Sequence, residues 1–158
     1  MIYISNSTTR HRIDRRALER TAHALLKGAG EKGASLSIAL VGDAAIRRLN
    51  REHRGQDRPT DVLSFSLATA PDARNVRPGR GRGPERLLGD VVISLDRAAE
   101  QAAAYDASVA AEVQRLLIHG ILHLLGHDHH RAGERARMVA EERRLAALIG
   151  LAWPYGAG

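Results

Sequence analysis

The sequence predicts an α+β fold in which helices pack on one mixed sheet of about four strands. Strand patterns dominate the first two thirds of the chain and helical patterns the last third, without internal repeats. The 158 residues match the size of one domain, and a hydrophobic fraction of 44% is sufficient for one core. We therefore interpret residues 1–158 as a single domain, with its strand order left open.

Apolar stretches with the length and alternation of strands occur four times, at residues 2–5, 35–41, 61–67 and 88–95. The segment between the last two, residues 70–86, has the sequence APDARNVRPGRGRGPER. It holds three of the five prolines and five arginines, with few apolar residues. This composition predicts a flexible basic loop that leaves and rejoins the sheet like a hairpin.

Five segments are predicted to be helical from apolar spacing and from residues that favour helix ends. The first covers residues 13–26 and ends at Gly28 and Gly30, and the last covers about residues 132–149. Three others are placed by an N-cap side chain: Asp43 before a helix to residue 50, Asp96 before a short helix, and Ser108 before a longer helix running toward Gly126.

The composition excludes some kinds of chemistry and favours one kind of partner. Cysteine is absent, which excludes disulfides, thiolate zinc sites and cysteine nucleophiles. The formal net charge is +6, and lysine supplies only two of the 24 basic residues. Arginine binds phosphate well, so RNA or DNA is a suitable partner, although codon bias alone could enrich arginine.

The chain lacks a long apolar run or a leader-like start, so we expect a cytoplasmic protein without membrane association.

Five of the eight histidines lie in one short run, HGILHLLGHDHH, at residues 119–130. On a helix, residues four apart differ by about 40° around the axis, so His119 and His123 share one face. Gly126 can leave the helix with positive φ, and the chain can then turn so that His129 approaches the same point. The spacing HxxxHxxGxxH therefore predicts three imidazole ligands for one metal ion.

Zinc suits this ligand set, because catalytic zinc sites combine three protein ligands with a fourth position for water. Nickel, copper or iron could occupy the same ligands. The simpler interpretation treats the histidines as helix-face and turn residues without a metal. Three polar residues of the run are not predicted as ligands: His127, Asp128 and His130. Asp128 either orients a ligating imidazole or forms the turn between two helices.

Two kinds of hydrolase fit such a metal site. Zinc peptidases place a glutamate directly after the first histidine as general base, whereas this chain has Gly120 there. A peptidase or amidase would then need a carboxylate from another segment. A phosphodiester instead needs positive charge near its nonbridging oxygens. Arg54, predicted in a turn before the third strand, can supply that charge, or it is an ordinary exposed arginine.

Three longer motifs accompany the histidines: LNREHRGQDRPTDVLSF at 49–65, LLGDVVISL at 87–95 and HGILHLLGHDH at 119–129, followed by Met138 and Glu142. In these motifs the chain resembles the YbeY family of bacterial ribosomal-RNA maturation endoribonucleases. The resemblance covers most of the chain. It implies a small mixed sheet surrounded by helices, with the metal site at the end of a cleft.

The resemblance also implies an activity and a set of site residues. It implies a zinc-dependent endoribonuclease that cleaves single-stranded RNA. The implied role is maturation of the 3′ end of 16S ribosomal RNA and ribosome quality control, with the ribosome and its associated proteins as possible partners. It implies that His119, His123 and His129 hold one Zn²⁺ and that Arg54 is the catalytic arginine on the substrate side.

Three features depart from the family pattern. Residue 127 is histidine where the family often has an aromatic residue, and Ser66 replaces a common proline. Neither position is a predicted ligand, but His127 could add a metal contact or donate a proton. The basic loop at 70–86 is longer than the resemblance leads us to expect, so its role does not carry over.

Our hypothesis for the mechanism is that the bound ion lowers the pKa of a water molecule to about 7, and that the resulting hydroxide attacks phosphorus. Arg54 would stabilise the developing charge. Loop arginines would attract RNA at long range: Arg74, Arg77, Arg80, Arg82 and Arg86. Attack by the RNA 2′-hydroxyl is an equal alternative, and a cyclic phosphate product would reveal it.

One alternative function is not enzymatic. A ribosome-associated module could use zinc only to stiffen the junction between two helices, in which case a fourth protein ligand such as Asp128 or His127 would close the coordination sphere. A water molecule or substrate anion in the fourth position would instead favour catalysis. The oligomeric state is not predicted.

Overall fold

A computed structural model describes residues 1–67, 76–78, 84–127 and 131–154, and gives only the backbone at 76–78, 84 and 85. Its elements follow in chain order: β1 (Ile2–Asn6), α1 (Arg15–Gly28), β2 (Ser35–Val41), α2 (Asp43–Arg54), β3 (Val62–Ser66), β4 (Val76–Pro78), β5 (Pro84–Ser94), α3 (Leu95–Ala104), α4 (Val109–Leu124) and α5 (Ala132–Leu148).

The main sheet has the order β1-β2-β5-β3. Its first three strands are mutually parallel, whereas β3 runs antiparallel to β5. The last strand of the sequence therefore lies inside the sheet, between β2 and β3. The predicted α+β fold with one mixed sheet is confirmed, and the order that the sequence left open is now established.

The segment 70–86 contains two short paired stretches. Residues 76–78 form β4, which runs antiparallel to residues 84–86 at the start of β5. Pro78 and Pro84 are opposite each other at the end of this ladder, where a proline costs the fewest hydrogen bonds. The pairing has the form of a hairpin, as predicted. The rest of the segment lies outside the described residues, and its flexibility stays a prediction.

The two faces of the sheet bury different side chains, as the alternation of β2 requires. Leu36, Ile38 and Leu40 enter the main core together with apolar residues of α1, α3, α4 and α5. Ala39 and Val41 point to the opposite face, where they pack in a smaller cluster with Ile46 of α2. The sheet is thus covered by several helices on one face and by α2 on the other.

Helix α4 packs very closely against the sheet at Gly120. A Cβ atom at this position would lie 2.6 Å from Cγ1 of Val91 on β5 and 3.2 Å from Oγ of Ser64 on β3. Both distances are shorter than ordinary van der Waals contacts, so only glycine fits without displacement. The close approach determines which face of α4 turns toward the sheet and which remains outside it.

The predicted cap of α4 is confirmed, because the side chain of Ser108 accepts a hydrogen bond from the Ala111 N–H at 3.0 Å. The predicted caps of α2 and α3 are wrong. Gly42 is the N-cap of α2, and Ser94 is the N-cap of α3. Asp43 and Asp96 lie one residue and two residues inside their helices.

Asp43 and Asp96 each bind near the start of the other's helix. Oδ2 of Asp96 accepts from the backbone N–H of Asp43 at 2.9 Å, and Oδ1 of Asp43 accepts from the Ser94 hydroxyl at 2.8 Å. The Asp43 N–H and a 3.0 Å contact with His11 hold the pKa of Asp96 below its ordinary value. The starts of α2 and α3 are therefore fastened together by carboxylates.

None of the helices within the described parts of the chain has both the length and the apolar character needed to cross a lipid bilayer.

Substituting Gly120→Ala should destabilise the protein. The added methyl group would lie 2.6 Å from Cγ1 of the buried Val91, which we expect to cost about 3 kcal/mol, the upper end of the overpacking range, against a gain of about 1 kcal/mol in helix propensity. Gly133→Ala in α5 is the matched control, because a Cβ there meets nothing within 4 Å. Chemical denaturation should show a loss for the first variant and a small gain for the second; equal effects would contradict the close packing.

Substituting Asp96→Asn should lower the free energy of unfolding by about 1 kcal/mol at pH 7. Because the folded-state pKa of Asp96 is lowered, its stabilisation is present above the unfolded-state value near 4 and is lost as the pH falls through the folded-state value. The difference between wild type and variant should therefore shrink in acid. Glu100→Gln, at an exposed position of α3, is the control; a difference independent of pH would exclude the charge effect.

Candidate functional site

The two histidines of α4 lie side by side with the same ring atom directed at each other. Nε2 of His119 is 3.1 Å from Nε2 of His123, and the ring centroids are 4.6 Å apart. Two nitrogens that share one tetrahedral zinc ion at 2.0–2.1 Å are separated by about 3.3 Å. The pair therefore has the spacing that one shared cation needs, as helical periodicity predicted.

Helix α4 ends at Leu124, and the glycine that the sequence indicated follows two residues later. Gly126 has φ +94°, and its N–H donates to the carbonyl of His123 at 3.1 Å. The next N–H, of His127, donates back to the carbonyl of Leu122 at 3.0 Å, which completes a Schellman motif. The chain is thus turned away from the helix axis one turn after the second histidine.

The third predicted ligand, His129, lies outside the described residues, as do Asp128 and His130. In the described part of the chain, no three side chains of His, Cys, Asp or Glu form a group that could hold a metal ion. The structure therefore supplies the pair His119 and His123, and the three-ligand set stays a prediction.

A carboxylate from another helix stands behind His119. Oε2 of Glu142, on α5, is 3.3 Å from Nδ1 of His119, the ring nitrogen on the side away from His123. The Glu142 side chain is only 9% exposed. Ligating imidazoles usually donate their second N–H to such an acceptor. In the sequence, Glu142 was noted as a residue that accompanies the family motifs, but its contact with His119 was not predicted.

Arg54 approaches the same region from the other face of the sheet. It was predicted in a turn, but it is the last residue of α2, and Gly55 with φ +69° ends the helix after it. Its Nη2 donates to the carbonyl of Ser64 at 2.7 Å, and its guanidinium carbon lies 5.3 Å from the centroid of the Phe65 ring. Arg54 is therefore held on β3 by a hydrogen bond and a cation–π contact.

Ser64 connects the arginine to the histidine helix. Its carbonyl accepts from Arg54, and its hydroxyl donates to the carbonyl of Gly120 at 2.9 Å. Gly120 follows His119 directly in the sequence. One residue of β3 thus fixes both sides of the site relative to each other, which no local sequence pattern could have shown.

Arg54, His119 and His123 line one cleft of about 620 Å³. Its walls come from the last turns of α2 and α4 and from β3 with the residues before it; they include Thr60, Asp61, Val62, Leu63, Ser64, Ser66, Leu124, Gly126 and His127. Both helices end at this cleft, and the partial negative charge of a helix C-terminus favours cations there. The cleft can hold a metal ion beside an anionic substrate group.

Two positions in the described cleft wall are relevant to a peptidase base, and both have structural roles. The site of the peptidase glutamate is Gly120, where a side chain would collide with the sheet. Asp61 lies in the cleft wall, but its Oδ1 accepts from the Val62 N–H at 2.8 Å and its Oδ2 accepts from Gln101 at 3.2 Å. Gly120 therefore supplies no base, and both oxygens of Asp61 already accept hydrogen bonds within the fold.

The basic loop is only partly described. The side chain of Arg86 forms an ion pair with Glu31, in the connection between α1 and β2. Of Arg77 only the backbone is given, in β4, whereas Arg74, Arg80 and Arg82 lie outside the described residues. A role of these arginines in attracting RNA stays a prediction.

Comparison with known proteins identifies relatives along almost the whole chain. The family model described as endoribonuclease YbeY matches residues 3–150. The chain is 47% identical over 150 residues to the endoribonuclease YbeY of an Anaeromyxobacter species, covering 95% of this chain and 72% of that protein. It is 39% identical over 150 residues to the endoribonuclease YbeY of Geobacter sulfurreducens, covering 94% of this chain and 95% of that protein.

A solved structure has the same fold. The solution structure of a Thermotoga maritima protein superimposes with a TM-score of 0.60 at 26% sequence identity, and the match covers 95% of this chain and 90% of that chain. The similarity in three dimensions therefore extends over the sheet and the helices that surround it.

Proposed function

Because the chain belongs to the YbeY family of endoribonucleases, we propose that it is a zinc-dependent endoribonuclease that cleaves single-stranded RNA at the cleft between α2, α4 and β3. The observation that carries this proposal is the meeting of His119, His123 and Arg54 in one cleft. Cation ligands and an anion-binding guanidinium are the two groups that phosphodiester hydrolysis needs.

The donor chemistry fits a zinc ion. Two imidazole nitrogens lie 3.1 Å apart, and a buried carboxylate stands behind one of them as the acceptor that a ligating imidazole usually has. His129, at the last position of the HxxxHxxGxxH spacing, would supply the third nitrogen. When bound, the ion would act as a Lewis acid and lower the pKa of a water molecule.

The chain's own residues would bind and orient the phosphate. The guanidinium of Arg54 has five N–H donors, of which one binds the Ser64 carbonyl among the described residues. The remaining donors can bind nonbridging phosphate oxygens and stabilise the charge that develops on them. Ser64 keeps this group at a fixed spacing from α4, because it binds Arg54 and Gly120 at once.

The finer parts of the proposal rest on the family. We propose that the RNA is ribosomal, that cleavage contributes to maturation of the 16S 3′ end and to ribosome quality control, and that the ribosome is a partner in the cytoplasm. Water and the RNA 2′-hydroxyl stay alternative nucleophiles. Identification of the product ends separates them, since only 2′-hydroxyl attack gives a cyclic phosphate.

The two rivals differ in their support. A peptidase or amidase loses support because Gly120 has no room for a side chain and both Asp61 oxygens are engaged. A non-catalytic module with structural zinc would need a closed coordination sphere. Metal coordination by spectroscopy, measured beside RNA cleavage with and without chelator, distinguishes this module from the enzyme.

Substituting His119→Ala or His123→Ala should abolish stoichiometric zinc binding and reduce cleavage of a single-stranded RNA to background. The expected cause is the loss of one of the few ligands in the site. His23→Ala is the control, because His23 lies on α1 with its side chain 55% exposed. Metal content and cleavage are measured on the same samples. Full cleavage by a metal-free His119 variant would refute the proposal.

Substituting Arg54→Ala should leave zinc binding intact and lower kcat/KM for RNA about 10²–10³-fold, as expected for a group that stabilises charge in the transition state. Arg48→Ala, an exposed arginine on the same helix, is the matched control and should change kcat/KM little. Unchanged kinetics in the Arg54 variant would exclude this residue from the mechanism.

A further inference from the structure

Glu142 is an acidic residue in a place where acidic residues are uncommon. It lies on the inward face of α5 between Met138 and Leu145, which are both fully buried. Its own relative exposure is 7%. Among the described residues, the polar contact of its carboxylate is with Nδ1 of His119 at 3.3 Å.

We propose that Glu142 is a positioning residue for the metal site. Its carboxylate accepts the Nδ1–H of His119 and thereby fixes the ring in the tautomer whose Nε2 carries a lone pair. This inference rests on the function proposed above, because it presumes that a cation binds at His119. It goes further, since it assigns a role to a residue on a different helix.

The chemistry of imidazole determines which ring nitrogen of His119 carries the proton. A neutral ring has one N–H, and either nitrogen can carry it. A carboxylate accepts a hydrogen bond but cannot donate one when ionised, so the nitrogen that faces Glu142 must hold the proton. Nε2 of His119 is then left as an acceptor on the side of His123, at 3.1 Å from that ring. This is the nitrogen that a cation would use.

The burial of Glu142 points to the same contact. A polar group in the core is costly unless it is hydrogen-bonded. Among the described residues, the carboxylate of Glu142 meets the His119 ring, at 3.3 Å from Nδ1, so the place of Glu142 in the core is tied to the orientation of that ring.

The neighbouring residue offers a matched comparison. Glu141 is also a glutamate of α5, but its side chain is 32% exposed and forms an ion pair with Arg144 at 2.7 Å. Neutralising Glu141 therefore removes the same charge from the same helix without touching His119. The Glu141 variant thus separates a general loss of charge on α5 from an effect that arises at Glu142.

The experiment compares Glu142→Gln, Glu142→Ala and Glu141→Gln with wild type in the full chain. Zinc affinity is measured by competition with a chromophoric chelator, and the protonated nitrogen of His119 is identified by ¹⁵N NMR in the metal-free protein. Thermal unfolding confirms that each variant is folded. If the alanine variant does not fold, the nearly isosteric glutamine variant provides the test.

We expect Glu142→Ala to bind zinc about 10–100-fold more weakly than wild type. Glu142→Gln should fall between, because its amide oxygen still accepts the Nδ1–H but carries no charge. Glu141→Gln should bind within about twofold of wild type. Metal-free wild type should carry the His119 proton on Nδ1, and the alanine variant should show a larger fraction on Nε2.

Two results would overturn the inference: equal zinc affinity in the Glu142 and Glu141 variants, or a wild-type His119 protonated on Nε2. RNA cleavage is measured separately on zinc-loaded wild type. If zinc affinity depends on Glu142 but RNA is not cleaved, the proposed nuclease function fails and the positioning role stands. If zinc-loaded wild type cleaves RNA while all variants bind zinc equally, only the positioning role fails.

Discussion

The contact between Gly120 of α4 and the sheet is the constraint from which the site follows. With Val91 and Ser64 against its backbone, α4 cannot rotate about its axis without a collision. Because His119 is the adjacent residue and His123 lies one turn farther on, this single close approach directs both imidazoles into the cleft. The glycine that would weaken an isolated helix is here the condition for placing the two histidines.

Arg54 and His123 lie at the C-terminal ends of two helices that are followed by glycines, and both side chains line the same cleft. Arg54 is the last residue of α2 before Gly55, and His123 lies in the last turn of α4 before Gly126. They reach the cleft from opposite faces of the sheet, and Ser64 on β3 joins them through its carbonyl and its hydroxyl. The guanidinium of Arg54 and the two imidazoles thus share an environment in which both helix ends favour positive charge.

Local patterns predicted much of this arrangement, and their failures have a common cause. Four strands, the cap at Ser108 and the turn at Gly126 were predicted from neighbouring residues. The prediction missed β4 and began β5 four residues late, because both lie in the segment 70–86 that was predicted as a loop. The sequence did not predict the strand order, the contacts exchanged by Asp43 and Asp96, or the contact of Glu142 with His119. Each of these depends on residues 23 or more positions apart, which no local periodicity encodes. Arg54 was predicted in a turn because the predicted helix ended at residue 50, whereas α2 continues to Arg54. Residue 129 lies outside the described residues, so the third ligand stays a prediction.

The claim on which the account depends is that Nε2 of His119 and Nε2 of His123 bind one cation. A crystal structure of the zinc-loaded protein, with the ion located by anomalous scattering, tests it most directly. We predict one ion about 2.0–2.1 Å from both Nε2 atoms, with Nδ1 of His119 still directed at Glu142. An ion bound through Nδ1 of either ring, or located outside the cleft, would contradict the account.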